Sequence, residues 1–220
     1  MSARVAVAIG AGVAALGGAA ALVWGSRRGG APGVDVIAAS VPHGDGAAMI
    51  LPTRVTGRPD FVAQMRAAMS LGLPMLNRNG RQLMIAHAAY ESGFGTGKAF
   101  RAGWNFGNIT CTKAYQQAHP GGFWLDARGD TEFAADGAVR KIDQAWRKYA
   151  GLGEAVADYW GFLGGSRYVS ARKVLEFSNG LDADPFAANL RAGGYFTLPL
   201  AAYQRGLAAV LAEVTALWTD

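Results

Sequence analysis

Apolar residues recur at helical spacing through most of the chain after residue 60. Asp60 is a candidate N-cap, and the apolar residues behind it lie at i, i+4, i+7 and i+8: Phe61, Met65, Ala68 and Met69. Pro74 interrupts this pattern, and a second helix is predicted from about Arg81. Asp184 is a second candidate N-cap, with Pro185 at the first helical position. Helical spacing predicts further helices in the second half of the chain, over residues 156–163, 168–177, 185–192 and 199–218.

The pattern changes between residues 121 and 145. Two apolar stretches, residues 123–125 and 131–133, flank turn residues, and Asp136-Gly137 is typical of a hairpin turn. We therefore expect an α+β fold that is mostly helical and carries one small β-hairpin lobe.

The first 59 residues differ from the rest of the chain. Residues 5–24 carry no charge and are flanked by Arg4 and by Arg27-Arg28, so residues 1–28 are predicted to be a transmembrane or signal-anchor helix in the inner membrane. A cleaved signal peptide and a buried soluble helix are the alternatives. Residues 29–59 are rich in glycine and proline and are predicted to be a linker, which leaves residues 60–220 as the catalytic domain.

Composition narrows the class of partner. The 220 residues are 51% hydrophobic and carry a net charge of +5, which suits an anionic partner such as membrane lipid or cell wall. The 21 Lys and Arg residues are scattered along the chain, so we expect no nucleic-acid binding. Cys111 is the single cysteine, which excludes an intramolecular disulfide. No pairing of Cys and His suggests a metal, and no cofactor is implied.

Glu91 is the candidate acid. The helix before it is apolar, and Gly93 and Gly95 stop that helix just after the carboxylate. A carboxyl group at the apolar end of a helix has a raised pKa and can donate a proton near neutral pH. The alternative is an ordinary surface glutamate at a helix end.

Four stretches of the chain resemble the flagellar-type β-N-acetylglucosaminidases of glycoside hydrolase family 73, which have a lysozyme-like fold. They occur in the family's order: residues 86–95, the motif Trp104-Asn105-Phe106-Gly107-Asn108-Ile109, residues 146–168, and residues 192–199. The chain departs from the family where leucine is missing before Phe106 and where Phe196 and Leu198 replace alanine and aspartate.

The resemblance implies roles for particular residues. Glu91 is the general acid, and Glu132 in the β lobe is the second carboxylate that most glycosidases use. Asp126, Asp130 and Asp136 are other candidates for the second carboxylate, and catalysis assisted by the substrate's N-acetyl group is an alternative. Residues expected to bind substrate are the first four of the motif and three further aromatic residues: Trp104, Asn105, Phe106, Gly107, Phe94, Trp124 and Tyr195. For Tyr195 the alternative is a place in the helical core, and His87 is expected to be a core histidine.

These inferences lead to one predicted function. The chain is predicted to be a peptidoglycan hydrolase that cuts the β-1,4 bond on the reducing side of N-acetylglucosamine, with its domain in the periplasm. Residues 5–24 resemble the signal-anchor-release segments of some phage endolysins, which would allow later release to the periplasm. A muramidase or lytic transglycosylase is one alternative, although the transglycosylase Gly-Leu-Met-Gln motif is absent after Glu91. A non-catalytic wall-binding or structural part of a virion or envelope machine is the other.

Overall fold

The computed structural model describes residues 55–133 and 139–219, with the backbone alone for 127–133 and 139–142. The described residues form eight helices and one antiparallel pair of strands, consistent with a lysozyme-like fold. In chain order these are α1 (Arg58–Gly72), α2 (Arg78–Ser92), α3 (Lys98–Gly103), α4 (Lys113–Ala118), β1 (Phe123–Phe133), β2 (Val139–Arg147), α5 (Leu152–Leu163), α6 (Val169–Glu176), α7 (Asp184–Ala192) and α8 (Leu200–Ala216).

Helix α2 lies at the centre of the domain and packs against α1, α6 and α8. It is buried along most of its length, as expected for a helix at the centre of a helical domain. Four polar side chains on it are also buried: Gln82, His87, Glu91 and Ser92. Buried polar groups need hydrogen-bond partners, so this helix is where specific polar contacts are to be sought.

Helices α1 and α2 begin slightly earlier than the sequence pattern predicted. Asp60 is not the N-cap of α1; Gly57 is, and the Asp60 carboxylate instead accepts a 2.7 Å hydrogen bond from the backbone N–H of Thr56. Helix α2 begins at Arg78 because the side chain of Asn77 accepts from the N–H of Gly80 at 2.8 Å. Asn77 thus satisfies one of the first-turn N–H groups that lack partners within the helix, whereas Asp60 bonds back to the residue before its N-cap.

Helix α7 also begins one residue earlier than predicted. Asp184 is the first helical residue and Ala183 is the N-cap position. The carboxylate of Asp182 accepts from the N–H of Asp184 at 2.9 Å, two residues before the predicted cap. Pro185 lies in the first turn, as predicted.

The β-hairpin lobe is present, but the two predicted apolar stretches belong to one strand. Strand β1 runs through residues 123–133 and pairs with β2, with Trp124 opposite Trp146 and Glu132 opposite Arg140. The residues between the two stretches, predicted to turn, instead form an irregularity in the register between Asp126 and Asp130. Asp136-Gly137, the predicted turn, lies outside the described residues.

The helix predicted over residues 199–218 is confirmed as α8, and its apolar residues lie on one stripe. Tyr203, Leu207, Leu211 and Val214 are buried on α8, and Val210 and Leu217 are partly buried beside them. This face packs on α2, which places Tyr203 close to the end of α2 that carries Glu91.

Within the described residues no helix is long and apolar enough to cross a membrane. The predicted anchor at residues 5–24 and most of the predicted linker lie outside those residues. Cys111 is half-buried and unpaired.

Candidate active site

The end of α2 presents Glu91. Gly93 adopts a left-handed conformation with φ of 58°, which only glycine adopts without strain, and its N–H closes the helix on the carbonyl of Ala89. Ser92 secures the turn that follows, since its hydroxyl donates to Ala88 O at 2.6 Å and accepts from Gly95 N at 3.0 Å. The glycine-bounded helix end predicted from the sequence is therefore confirmed.

The Glu91 carboxyl group is held from two sides. Tyr203 on α8 donates its hydroxyl proton to Oε1 at 2.6 Å. Asn108 donates through Nδ2 to the backbone carbonyl of Glu91 at 2.8 Å, and the same amide lies 3.3 Å from Oε2. The side chain of Glu91 has no exposed surface in this conformation.

Burial dominates the acidity of Glu91. It raises the pKa of the carboxyl group to about 7, although the hydrogen bonds from Tyr203 and Asn108 act in the opposite direction. His87 lies 3.6 Å from Oε1, but burial lowers the pKa of its imidazole to about 3. The histidine is therefore neutral near pH 7, and the pair does not form an ion pair.

His87 contacts the acid through a tyrosine. Its Nε2 lies 2.9 Å from the hydroxyl of Tyr203, and its Nδ1 lies 2.8 Å from the hydroxyl of Tyr159. Both ring nitrogens are thus satisfied inside the core, as expected for a core histidine.

The motif at residues 104–109 forms a tight loop beside Glu91. Trp104 and Asn108 both have left-handed backbone conformations, with φ of 56° and 48°. The buried side chain of Asn105 holds this loop closed, because it bonds both the N–H and the carbonyl of Ile109, at 2.9 and 2.8 Å. It also donates to the carbonyl of Arg147 at the end of β2.

Phe106 and Gly107 of this loop face the protein core. Phe106 is buried and packs edge-on against Tyr159, with ring centroids 5.2 Å apart. Gly107 lies against the same ring, where a Cβ atom would come within 2.7 Å of it. Burial gives Asn105 and Phe106 a supporting place, and their contact with substrate stays a prediction.

Tyr195 is also buried. Its hydroxyl donates to the carbonyl of Gly107 at 2.5 Å, and its ring packs on those of His87 and Tyr168. The residue lies in the aromatic core and supports the motif loop from below, so any effect on substrate would act through Gly107.

The remaining aromatic candidates differ in exposure. Phe94 is almost fully buried against Phe61, and the guanidinium of Arg58 lies 4.9 Å from its ring. Trp104 and Trp124 are half-buried, so each keeps exposed ring surface on which a sugar could stack.

Among the candidates for the second carboxylate, only the side chain of Asp126 is described. The backbone of Glu132 pairs with Arg140 in the hairpin, and its side chain, like that of Asp130, lies outside the description. Asp126 is described, with its carboxylate 3.6 Å from Nζ of Lys98. Asp136 lies outside the described residues.

Two residues that contact the acid were missed as site residues. Asn108 belongs to the motif, and an asparagine in the left-handed region is a signal that its position matters. Tyr203 shares its apolar stripe with core residues, and nothing in the periodicity distinguishes its hydroxyl.

The arrangement can perform general acid catalysis. A carboxyl group with a pKa of about 7 is substantially protonated at neutral pH, and it lies beside a loop that bears a half-buried tryptophan. The described residues therefore provide one candidate general acid on a helical domain with a β-hairpin.

The family is established by sequence comparison. Residues 77–216 match the family described as glucosaminidase, mannosyl-glycoprotein endo-β-N-acetylglucosaminidase, and the chain belongs to this family. The resemblance to glucosaminidases is therefore confirmed. No curated protein sequence matches the chain.

Solved structures share the fold. The catalytic domain of the autolysin Auto from Listeria monocytogenes is 21% identical, with a TM-score of 0.55, over 77% of this chain and 92% of that one. A peptidoglycan hydrolase mutant from Sphingomonas sp. A1 is 23% identical, with a TM-score of 0.52, over 72% of this chain and 97% of that one.

Proposed function

We propose that the protein hydrolyses peptidoglycan at the β-1,4 bond on the reducing side of N-acetylglucosamine, with Glu91 as the general acid. The observation that supports this role best is the enclosure of the Glu91 carboxyl, which raises its pKa to about 7. An acid of that pKa is still protonated near neutral pH and donates readily.

Proton transfer would proceed from Glu91 to the glycosidic oxygen. As the bond from C1 to that oxygen breaks, the proton passes to the leaving oxygen and positive charge develops on the sugar ring. Asn108 covers Oε2 through a long contact of 3.3 Å, so its side chain has to yield for the glycan to reach this oxygen.

The substrate class rests on the family and on charge. The two fold relatives from Sphingomonas and Listeria are a peptidoglycan hydrolase and an autolysin by name. The net charge of +5 favours approach to an anionic wall.

Replacement of the acid tests the proposal. Glu91→Gln is expected to lower the lysis of purified peptidoglycan by at least about 100-fold, because the amide cannot donate as a general acid. Glu176→Gln is the control, since that glutamate lies on α6 and pairs with Arg172 on the same helix. Full activity in Glu91→Gln would refute the mechanism.

Mass analysis of the products tests bond specificity. We expect reducing-end N-acetylglucosamine from the wild-type protein. Reducing-end muramic acid would indicate a muramidase, anhydro-muramic products a lytic transglycosylase, and no products a non-catalytic wall-binding protein.

Glu132 is proposed as the second carboxylate, acting as base or as stabiliser of the sugar cation. Glu132→Gln should then lower activity more than Asp126→Asn. Equal retention of activity in both variants would favour assistance by the substrate's own N-acetyl group.

Residues 5–24 are proposed to anchor the protein in the inner membrane with the enzyme domain in the periplasm. Cell fractionation before and after collapse of the membrane potential tests this. A protein that stays in the membrane fraction throughout is not released, and one found only in the cytoplasm has no anchor of this kind.

A further inference from the structure

A buried chain of hydrogen bonds leads from the core to the acid. It links Tyr159 on α5, His87 on α2, Tyr203 on α8 and finally Glu91, at successive distances of 2.8, 2.9 and 2.6 Å. Three helices meet in this chain, although its residues are far apart in sequence.

When Glu91 is ionised, the hydrogen bonds in this series can have only one donor direction. A carboxylate has no proton to give, so the hydroxyl of Tyr203 donates to Oε1 and its oxygen is left to accept from His87. A neutral imidazole carries one proton, which must then lie on Nε2. Nδ1 is therefore an acceptor, and Tyr159 donates to it.

The same direction determines where Glu91 takes up its proton. Oε1 accepts the short bond from Tyr203 at 2.6 Å, whereas Oε2 accepts only the long contact from Asn108 at 3.3 Å. The acid proton is therefore added to Oε2, the oxygen beside the motif loop. We propose that Tyr203, oriented by His87, is a positioning residue that holds Glu91 in place with its acid proton on Oε2. This inference rests on the proposed role of Glu91 as the general acid.

The titratable groups that face Glu91 come from every element around it. They are His87 and Tyr90 on α2, Tyr159 on α5, Tyr203 on α8, and Tyr195 just before α8. Burial keeps the histidine neutral and raises the pKa of each tyrosine, so none of these groups is charged near pH 7. The hydrogen bond from Tyr203 is thus the main contact that favours the ionised form of Glu91, in opposition to burial.

Phenylalanine at position 203 would remove the hydroxyl and keep the packing. The ring of Tyr203 stacks on Phe196 at 3.7 Å and meets Tyr90 edge-on, and both contacts need only the ring. In Tyr203→Phe we expect the alkaline limb of the pH profile to move to higher pH, because the ionised form of Glu91 loses its donor. We also expect kcat/KM at the optimum to fall by roughly 10- to 100-fold, the effect of one hydrogen bond to a charged group.

Tyr149→Phe is the matched control. Tyr149 also donates to a carboxylate at 2.6 Å, that of Asp158, away from Glu91. It should lower the melting temperature and leave the alkaline limb where it is. If Tyr203 were merely structural, Tyr203→Phe would behave in the same way, and that result would overturn the proposal.

A ¹³C NMR titration of the Glu91 carboxyl keeps the two proposals apart. The Glu91 signal, assigned by its loss in Glu91→Gln, should titrate at higher pH in Tyr203→Phe than in the wild type, whatever the substrate is. An unchanged titration overturns this inference even if Glu91→Gln abolishes lysis. ¹⁵N NMR of His87 should show the proton on Nε2, and a proton on Nδ1 would also overturn it.

Discussion

Two carboxylates in this molecule each accept a short hydrogen bond from a tyrosine, but their other surroundings differ. Glu91 and Asp158 each accept a tyrosine hydroxyl at 2.6 Å. Asp158 also accepts two hydrogen bonds from Nη1 of Arg147, at 2.7 and 2.8 Å. The described nitrogens close to the Glu91 carboxyl are instead those of Asn108 and His87, and both are uncharged near pH 7.

The two sites therefore differ in the presence of a nearby cation, since both carboxylates have a tyrosine donor. Arg147 pairs with Asp158 and stacks over Tyr115 with its guanidinium 4.4 Å from the ring, which joins β2 to α4 and α5. Glu91 is buried with neutral donors alone, so its ionised form is costly and its pKa is raised. Asp158 links α5 to the hairpin through Arg147, whereas Glu91 has a raised pKa among neutral donors.

Opposite effects on stability should follow from removing the two charges. At pH 8, Glu91→Gln should stabilise the fold by about 3 kcal/mol, since it removes a buried ionised group whose pKa is raised from 4.5 to about 7. Asp158→Asn should instead cost about 2 kcal/mol, because Arg147 loses its partner at a half-buried site. Urea unfolding at pH 8 measures both. The gain in Glu91→Gln should disappear at pH 4, where the wild-type Glu91 is protonated in both states.

The pH dependence of wild-type stability should have a plateau. The pKa of His87 is lowered from 6.5 to about 3, so the unfolding free energy should rise with pH between these values, by about 1.4 kcal/mol per unit. The pKa of Glu91 is raised, so its contribution should fall between pH 4.5 and 7 with the same slope. The two slopes cancel from pH 4.5 to 6.5.

Urea unfolding across this pH range checks the profile. Stability should rise by about 2 kcal/mol from pH 3 to 4.5, stay level to 6.5, and then fall slightly to pH 7. In Glu91→Gln the plateau should be replaced by a continuous rise to pH 6.5. A plateau that persists in this variant would contradict the assignment of the falling slope to Glu91.

Two glycine substitutions compare the effect of added volume near the acid with its effect elsewhere in the fold. Gly107→Ala places a Cβ atom 2.7 Å from the ring of Tyr159 and should cost roughly 1–2 kcal/mol while it disturbs the bond from Tyr159 to His87. Gly161→Ala, in α5 with open space around it, should stabilise the fold by about 0.5–1 kcal/mol. Thermal unfolding measures both, and destabilisation by Gly161→Ala would contradict the open space found around that position.

Much of the scaffold could be predicted from periodicity and turn chemistry. The buried stripe of α8, the hairpin lobe and the glycine-bounded end of α2 at Gly93 all follow from local patterns. The errors lie at boundaries, as at Asp60 and Asp184, where any of several neighbouring side chains can cap the first turn. In β1 the polar residues from Asp126 to Asp130 were predicted to turn, although the strand continues through them with a shift of register.

In the candidate site, Glu91 and the neighbouring motif loop could be predicted, but the groups that contact the carboxyl could not. The sequence by itself determined that Glu91 ends an apolar helix, because an apolar pattern reports which face of a helix is buried. It could not determine which groups meet the carboxyl there, since Tyr203 is 112 residues away and Asn108 depends on a left-handed turn. The packing of α8 against α2 decided that a tyrosine hydroxyl, and no cation among the described residues, would face the acid. Helix packing buries both side chains, and this burial raises the pKa of Glu91 and keeps His87 neutral.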